Sequence, residues 1–298
     1  MKTQKKGVIT ALLLALTLQS CNKEPQNQSA LNPMIFTADY SQMTTKAGTE
    51  TPFKNGNWAS IIGFQTGASP SSATPVNGTP VNAKCGETGV LTTDNELFLP
   101  KGNYDFYSTS LNNKEELQLS FTAGLSGQLK NGVDYLWAKN LNVSAGSTVS
   151  FKYKHKAVAI EITTTGESGI SDLNIKEIKI TPSKPSASTK MSLIDGAITP
   201  CTSKDTSTPI TVENNIGSYI MLPMTSNTIS VVLIADLKIG GKSYQNKQYN
   251  ATLPAIEYLG GTIYKISLTI NALKLTFNGS TVEDWTTQDV PAITLTEE

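Results

Sequence analysis

The chain is 298 residues long with a mass of 31.9 kDa, room for about two domains at ~150 residues each. Its 24 basic and 24 acidic residues balance to a formal charge of zero; every basic residue is a lysine, and His155 is the single histidine. With no arginine there is no bidentate guanidinium grip on phosphate or carboxylate. One histidine excludes a two-histidine metal site, and zero net charge argues against a basic nucleic-acid stripe. Charged residues make up 16% of the chain, against a usual ~25%, while Ser, Thr, Asn and Gly abound. That is the composition of an extracellular β-protein.

Residues 1–20 have the pattern of a lipoprotein signal peptide. Lys2, Lys5 and Lys6 precede an apolar run from Val8 to Leu18, shorter than the ~20 residues a membrane-spanning helix needs. The run closes on Leu18-Gln19-Ser20-Cys21, a small residue directly before a cysteine, which resembles the lipobox of bacterial lipoproteins. In those proteins the cysteine is acylated and the peptide is cut before it. The alternative is a plain signal peptide with an incidental cysteine. Cut before Cys21, the chain keeps 21 of its 24 lysines against 24 acids, a net charge of −3.

Residues 21–46 follow as a polar tether and a short apolar strand, Met34-Ile35-Phe36-Thr37-Ala38. Trp58 to Phe64 is the next apolar segment, and residues 66–89, rich in Gly, Ser, Pro, Thr and Asn, read as a long surface loop. Beyond it the apolar residues recur with period two. They do so at Leu97, Leu99, Tyr104 and Phe106, at Leu117, Leu119 and Phe121, and along Val158–Ile162, Ile175–Ile180, Ile229–Ile234, Tyr264–Ile270 and Leu273–Phe277. This is the strand period, one face to a core and one to water. Asn131-Gly132, Asp195-Gly196 and Asn278-Gly279 have the composition of two-residue hairpin turns. The chain reads as all-β, two β-sandwich domains spanning 47–165 and 166–298, with the joint at Thr165–Gly169. Cys85 falls in the 66–89 loop and Cys201 in the second domain; no disulfide between them is the simpler expectation.

Chemistry for catalysis is sparse. His155 sits among Lys152, Lys154 and Lys156 and reads as a structural or surface histidine. Asp94, Asn95 and Glu96 have the composition of a solvated turn rather than a cation site. No Gly-rich loop has phosphate-binding spacing, and Trp58, Trp137 and Trp285 read as packing residues. No catalytic residue, metal ligand or cofactor is assigned, and a non-enzymatic protein is expected.

Seven segments in order resemble the fimbrillin family, the lipoprotein pilins of type V pili. They are Trp58–Phe64, Phe98–Ser108 (FLPKGNYDFYS), Asn131–Ala138 (NGVDYLWA), Phe151–Ala157 (FKYKHKA), Tyr219–Met224 (YIMLPM), Gly260–Ile266 (GGTIYKI) and Val282–Trp285 (VEDW). The resemblance implies two transthyretin-like β-sandwich domains and a subunit of an adhesive fimbria on the cell outer membrane. Its partners would be other pilin subunits, the membrane through the lipid on Cys21, and a host or bacterial surface ligand. It also implies that a protease removes the N-terminal strand and that the vacated groove accepts a strand from a neighbouring subunit. The usual cleavage motif T-T-R-A stands here as Thr44-Thr45-Lys46-Ala47, so Lys46 is the candidate processing residue. Either a lysine-tolerant protease acts, or the subunit stays uncleaved as an anchor or accessory. The donor strand would come from residues 273–298, where Leu273, Leu275 and Phe277, then Ile293 and Leu295, alternate. The competing possibility is a monomeric surface lipoprotein that binds glycans or host ligands.

The tetrad ending in Cys21 generates a direct expectation. Cys21→Ala should move the protein from the membrane to the soluble fraction, and mass spectrometry of the unaltered protein should find acyl chains on residue 21.

Overall fold

The computed structural model describes residues 31–38, 53–271, 275–284 and 288–290, and these form strands, turns and bends with no helix. Around the smaller of two hydrophobic cores runs a mixed eight-stranded sheet. Its strand order is Thr148–Phe151, Ile35–Ala38, Val90–Thr93, Val81–Cys85, Trp58–Gln65, Asn103–Ser110, Leu136–Ser144 and Lys154–His155. The sheet curls until Leu136–Ser144 runs back beside Thr148–Phe151, where Asn140 Nδ2 donates to Ser150 O at 3.1 Å.

The larger core lies between two sheets. One has the order Thr211–Glu213, Ile216–Met221, Val158–Gly166, Thr262–Ile270, Leu275–Asp284, Gln288–Val290; the other Thr208–Pro209, Ile170–Ile180, Ser230–Ile239, Lys242–Thr252. The period-two pattern does its expected work here. Val158, Ile160 and Ile162 from one sheet meet Val231, Leu233, Ala235 and Leu237 from the other, all buried. The joint expected at 165 connects Val158–Gly166 with Ile170–Ile180, both of which contribute to the larger core, and that core also takes in Ile62, Phe64, Tyr107 and Trp137 from the first half of the chain.

Five local expectations are corrected. Residues 66–89 are not all loop: Val81–Cys85 is an interior strand of the eight-stranded sheet, with Val81, Ala83 and Cys85 buried. Its inward side chains are small, which is why the segment lacks an apolar signature. Leu117 is 82% exposed and lies outside any strand, so the alternation from 117 to 121 carries only the short strand Phe121–Thr122. Asn278-Gly279 does not turn the chain. Leu275–Asp284 continues through it along Thr262–Ile270, with Phe277 opposite Leu268 and Ser280 opposite Ile266, so the dipeptide forms a bulge, Gly279 adopting φ +117. Asn131-Gly132 turns the chain between strands that do not pair with one another. Asp195-Gly196 lies in a turn, but a longer one than a two-residue hairpin: six residues separate the bridged Met191 and Ile198, and only Gly196 of the pair takes a positive φ. No disulfide joins Cys85 and Cys201; each is buried in a different core.

The strands Trp58–Gln65 and Asn103–Ser110 are buried on both faces, because the side of the sheet turned away from the smaller core packs on the second half of the chain. Ile62, Phe64, Tyr107 and Trp137 point that way and join the larger core. Trp137 Nε1 donates to Leu193 O at 2.8 Å, and the Lys156 ammonium, 4.7 Å from the indole centre, donates to Asp195 O at 2.9 Å. Burial, with Lys154 and Lys139 nearby, pushes the Lys156 ammonium below the ordinary lysine range. Main-chain bonds add to the seam: Ser126 N to Met191 O, Leu129 N to Thr189 O and Gly132 N to Ile220 O. Residues Leu31–Glu298 form one compact unit.

Gly196 lets this seam close. Its φ is +70, and a Cβ there would lie 2.5 Å from Trp137 Cγ and 2.6 Å from Lys156 Cε. Gly132 has φ +79 with nothing within 4 Å of its would-be Cβ. Both alanine variants bear a left-handed backbone penalty of about 1–2 kcal/mol, and only Gly196→Ala adds ~1–3 kcal/mol of overpacking. Urea unfolding should therefore place Gly196→Ala clearly below Gly132→Ala; equal midpoints would mean that Trp137 moves aside freely.

Candidate functional site: the N-terminal strand and its slot

Met34, Phe36 and Ala38 are buried while Ile35 faces out, the alternation that lets a four-residue strand be held by its side chains as well as its backbone. On one side Ile35–Ala38 pairs in parallel with Thr148–Phe151, Ile35 opposite Thr148 and Ala38 opposite Phe151. On the other it runs antiparallel to Val90–Thr93, with Phe36 opposite Leu91 and Thr37 opposite Val90. The pairing extends upstream, where Asn32 and Pro33 oppose Leu99 and Phe98. Met34 N donates to Leu97 O at 2.9 Å and Ala38 N to Gly89 O at 2.7 Å. The strand therefore fills a slot between two other strands rather than capping an edge.

Phe36, 2% exposed, is the side chain that locks it. Its ring meets Phe106 edge-on at 5.4 Å and stacks on Phe151 at 6.2 Å. From Phe151 the contacts continue to Tyr153 at 6.1 Å and on to Phe53 at 4.7 Å. Tyr153 shares a 2.6 Å hydrogen bond with Ser108 Oγ. Burial holds the Tyr153 hydroxyl well above its ordinary value, with the Ser108 bond acting in the opposite direction. Across the sheet Phe36, Leu91 and Cys85 are successive register partners, all buried, and the Cys85 thiol points at Phe53 O, 3.6 Å away. Taking the strand out would bare the backbone groups of Thr148–Phe151 and Val90–Thr93 and an aromatic-lined slot.

The other residues singled out in the sequence fall elsewhere. Cys21, Lys46, Trp285 and 291–298 lie outside the described residues. His155 Nδ1 is 2.8 Å from Asp134 Oδ1, and Asn112 Nδ2 donates to Asp134 Oδ2 at 2.8 Å. Asn57 Nδ2 in turn donates to Asn112 Oδ1 at 2.9 Å, so His155 belongs to a polar network that ties the first sheet's far edge. Trp137 is buried, and Trp58 is half-buried with Lys84 over its ring at 5.9 Å, so neither presents an open face for stacking a sugar. Asp94–Glu96 form an exposed bend. Among the described residues no three His, Cys, Asp or Glu side chains converge as a metal site. The slot's second wall, Thr148–Phe151, was not recognisable as such in the sequence; the alternating Val149, Phe151 and Tyr153 were its only trace.

Truncating Phe36 tests whether this side chain seals the slot. Phe36→Ala should cost about 3–5 kcal/mol of packing, which makes local opening ~100-fold or more frequent. Alkylation of Cys85 and hydrogen exchange at Thr148–Phe151 should both accelerate, while Thr37→Ala, on the outward side, should leave them near their original rates. Unchanged Cys85 reactivity in Phe36→Ala would show that something else closes the slot.

Comparison with known proteins places this geometry in context. A family model described as fimbrillin-like matches residues 45–285. No curated protein matches the chain at the sequence level. Among solved structures, a candidate cell adhesion protein from Bacteroides uniformis superposes with a TM-score of 0.66 at 14% identity, covering 88% of this chain and 100% of that one. A fimbrial protein from Bacteroides vulgatus gives 0.56 at 13% identity, covering 85% and 99% of the two chains. The tip fimbrial protein Mfa3 from Porphyromonas gingivalis, with a C-terminal truncation, gives 0.51 at 8% identity, covering 86% and 100%. These similarities establish a shared fold, and the match over most of its length shows that the chain belongs to the fimbrillin-like family.

Proposed function

We propose that the chain is a non-enzymatic structural subunit of an adhesive surface fimbria, held in the outer membrane as a lipoprotein through Cys21 and assembled by strand exchange with other pilin subunits. The observation that carries this reading is the Ile35–Ala38 strand, paired on both sides and keyed by Phe36. In the sequence it is joined to the rest of its domain only through residues 39–52. One cut after Lys46 would turn a covalent part of the domain into a bound peptide, which another strand of like pattern could replace. An uncleaved chain keeps its slot filled, which suits an anchor or accessory subunit; a cleaved one can extend a shaft or carry a tip.

The donor is narrower than 273–298. Leu275–Asp284 pairs along Thr262–Ile270, and Gln288–Val290 pairs with Ser280–Val282, so giving up those strands would strip the second sandwich. That leaves residues 291–298, with Ile293 and Leu295 at alternate positions, as the proposed donor.

A lysine-specific protease supplies the test. Cleavage after Lys46, verified by N-terminal sequencing, should convert a monomer into linear oligomers on size-exclusion chromatography. Lys46→Ala should remain long and monomeric. A cleaved chain lacking 291–298 should accept a strand but terminate growth. A cleaved full chain that stays monomeric with partner pilins present would defeat the strand-exchange reading.

A further inference from the structure

The side of the N-terminal strand turned away from the core carries apolar side chains as well, beside the polar Thr37. Leu31, Pro33 and Ile35 alternate with the buried Met34, Phe36 and Ala38, and Leu31 and Ile35 are 60% and 53% exposed. Pro33 opposes Phe98 and Thr37 opposes Val90, both of the latter 43% exposed. Register partners and alternate residues share a face of a sheet, so these side chains form one stripe. On the partner side the exposed bend Asp94–Glu96 lies between Val90 and Phe98, and Lys101 follows Phe98, so charged groups border the apolar side chains. Solvent-exposed apolar side chains gathered in this way mark a contact surface.

Chain length limits how far the stripe can stand from an anchored Cys21. Ten residues separate Leu31 from Cys21, about 35 Å at full extension. Strand pairing from Asn32 onward holds one end of that tether, and acyl chains on Cys21 would fix the other end in the membrane. We propose that the stripe of Leu31, Pro33, Ile35, Phe98 and Val90 rests on the lipid surface and docks the uncleaved precursor by this face, an inference that depends on the lipid-anchored reading of Cys21. Apolar side chains held at an interface by a nearby acyl anchor add a second membrane contact to the first. Once a cut after Lys46 lets another strand replace Ile35–Ala38, Leu31, Pro33 and Ile35 leave the domain with the lipid. The event that opens the slot would then also dismantle most of the membrane contact, coupling activation to release.

The test uses the full chain, expressed in a host that acylates lipoproteins, purified from membranes and reconstituted into phosphatidylethanolamine vesicles with a minor share of phosphatidylglycerol. An environment-sensitive fluorophore is placed at Phe98→Cys or, for comparison, at Tyr244→Cys in the second sandwich; Cys85 and Cys201 are buried and resist the label. Emission from position 98 should shift to the blue on reconstitution and be quenched by nitroxides on the acyl chains, while position 244 should do neither. Adding Ile35→Ser should weaken the quenching at 98. Vesicles that carry the protein on flotation but leave position 98 as water-like as position 244 would overturn the docking proposal and leave the lipid anchor standing. Protein that does not float with the vesicles would remove the anchor and the docking together.

Discussion

Ile35–Ala38 stands between two strands that otherwise have no contact with each other in the sheet order, and Phe36 supplies a ring to the middle of the smaller core. Both facts follow from a four-residue segment that is distant in sequence from one partner, Thr148–Phe151, and moderately distant from the other, Val90–Thr93. A non-local strand of this kind is held by main-chain hydrogen bonds and one large side chain, and hardly at all by chain connectivity. It can be essential to the fold and still be separable from it. A strand at the end of a sheet could be lost with one row of backbone groups exposed; here the loss exposes two rows facing each other across an apolar slot, a much stronger template for another strand.

Such a slot is useful only if its walls stay in place, and the seam with the second half of the chain provides for that. Trp58–Gln65 and Asn103–Ser110, in the middle of the eight-stranded sheet, are covered on both faces, and Trp137 is clamped through Leu193 O and Lys156. At the sheet's far edge the Asn57–Asn112–Asp134–His155 network fixes Lys154–His155. The parts that would hold an incoming strand are thus fastened to a second core that does not include Met34, Phe36 or Ala38.

Most of the second sandwich was legible in the sequence because each strand there has one face to the core and one to water, as in Val231, Leu233, Ala235 and Leu237. The N-terminal strand was legible for the same reason. What escaped was set by tertiary context. Val81–Cys85 hides in a polar stretch because its buried side chains are small, and 117–121 mimics a strand although Leu117 lies in water. Asn278-Gly279 has the composition of a turn, but the strand it interrupts is held along its length by Thr262–Ile270, so the sheet absorbs the dipeptide as a bulge. Sequence could name the strand that fills the slot, but not the strand beside it, since parallel pairing across more than a hundred residues leaves no local mark.

Other sheet edges among the described residues are built differently from the slot. Thr211–Glu213, Gln288–Val290 and Lys154–His155 are two or three residues long, and Thr208–Pro209 carries a proline that lacks a ladder donor. The long edge strand Lys242–Thr252 is bent by a bulge opposite Ala235–Leu237, where Asn246 takes φ +52 and donates its N–H to Asp236 Oδ1 at 2.8 Å. It also presents Lys242 and Lys247 to solvent. Short edges, proline, bulges and lysines are the devices by which β-proteins discourage unwanted pairing. The slot has none of them: its walls are regular, its floor is aromatic, and its only protection is the strand already in it. Thr148–Phe151, one wall of the slot, is itself an end strand of the eight-stranded sheet and carries neither proline, bulge nor lysine, so the proposed exchange would take place beside an edge that has no protection of this kind.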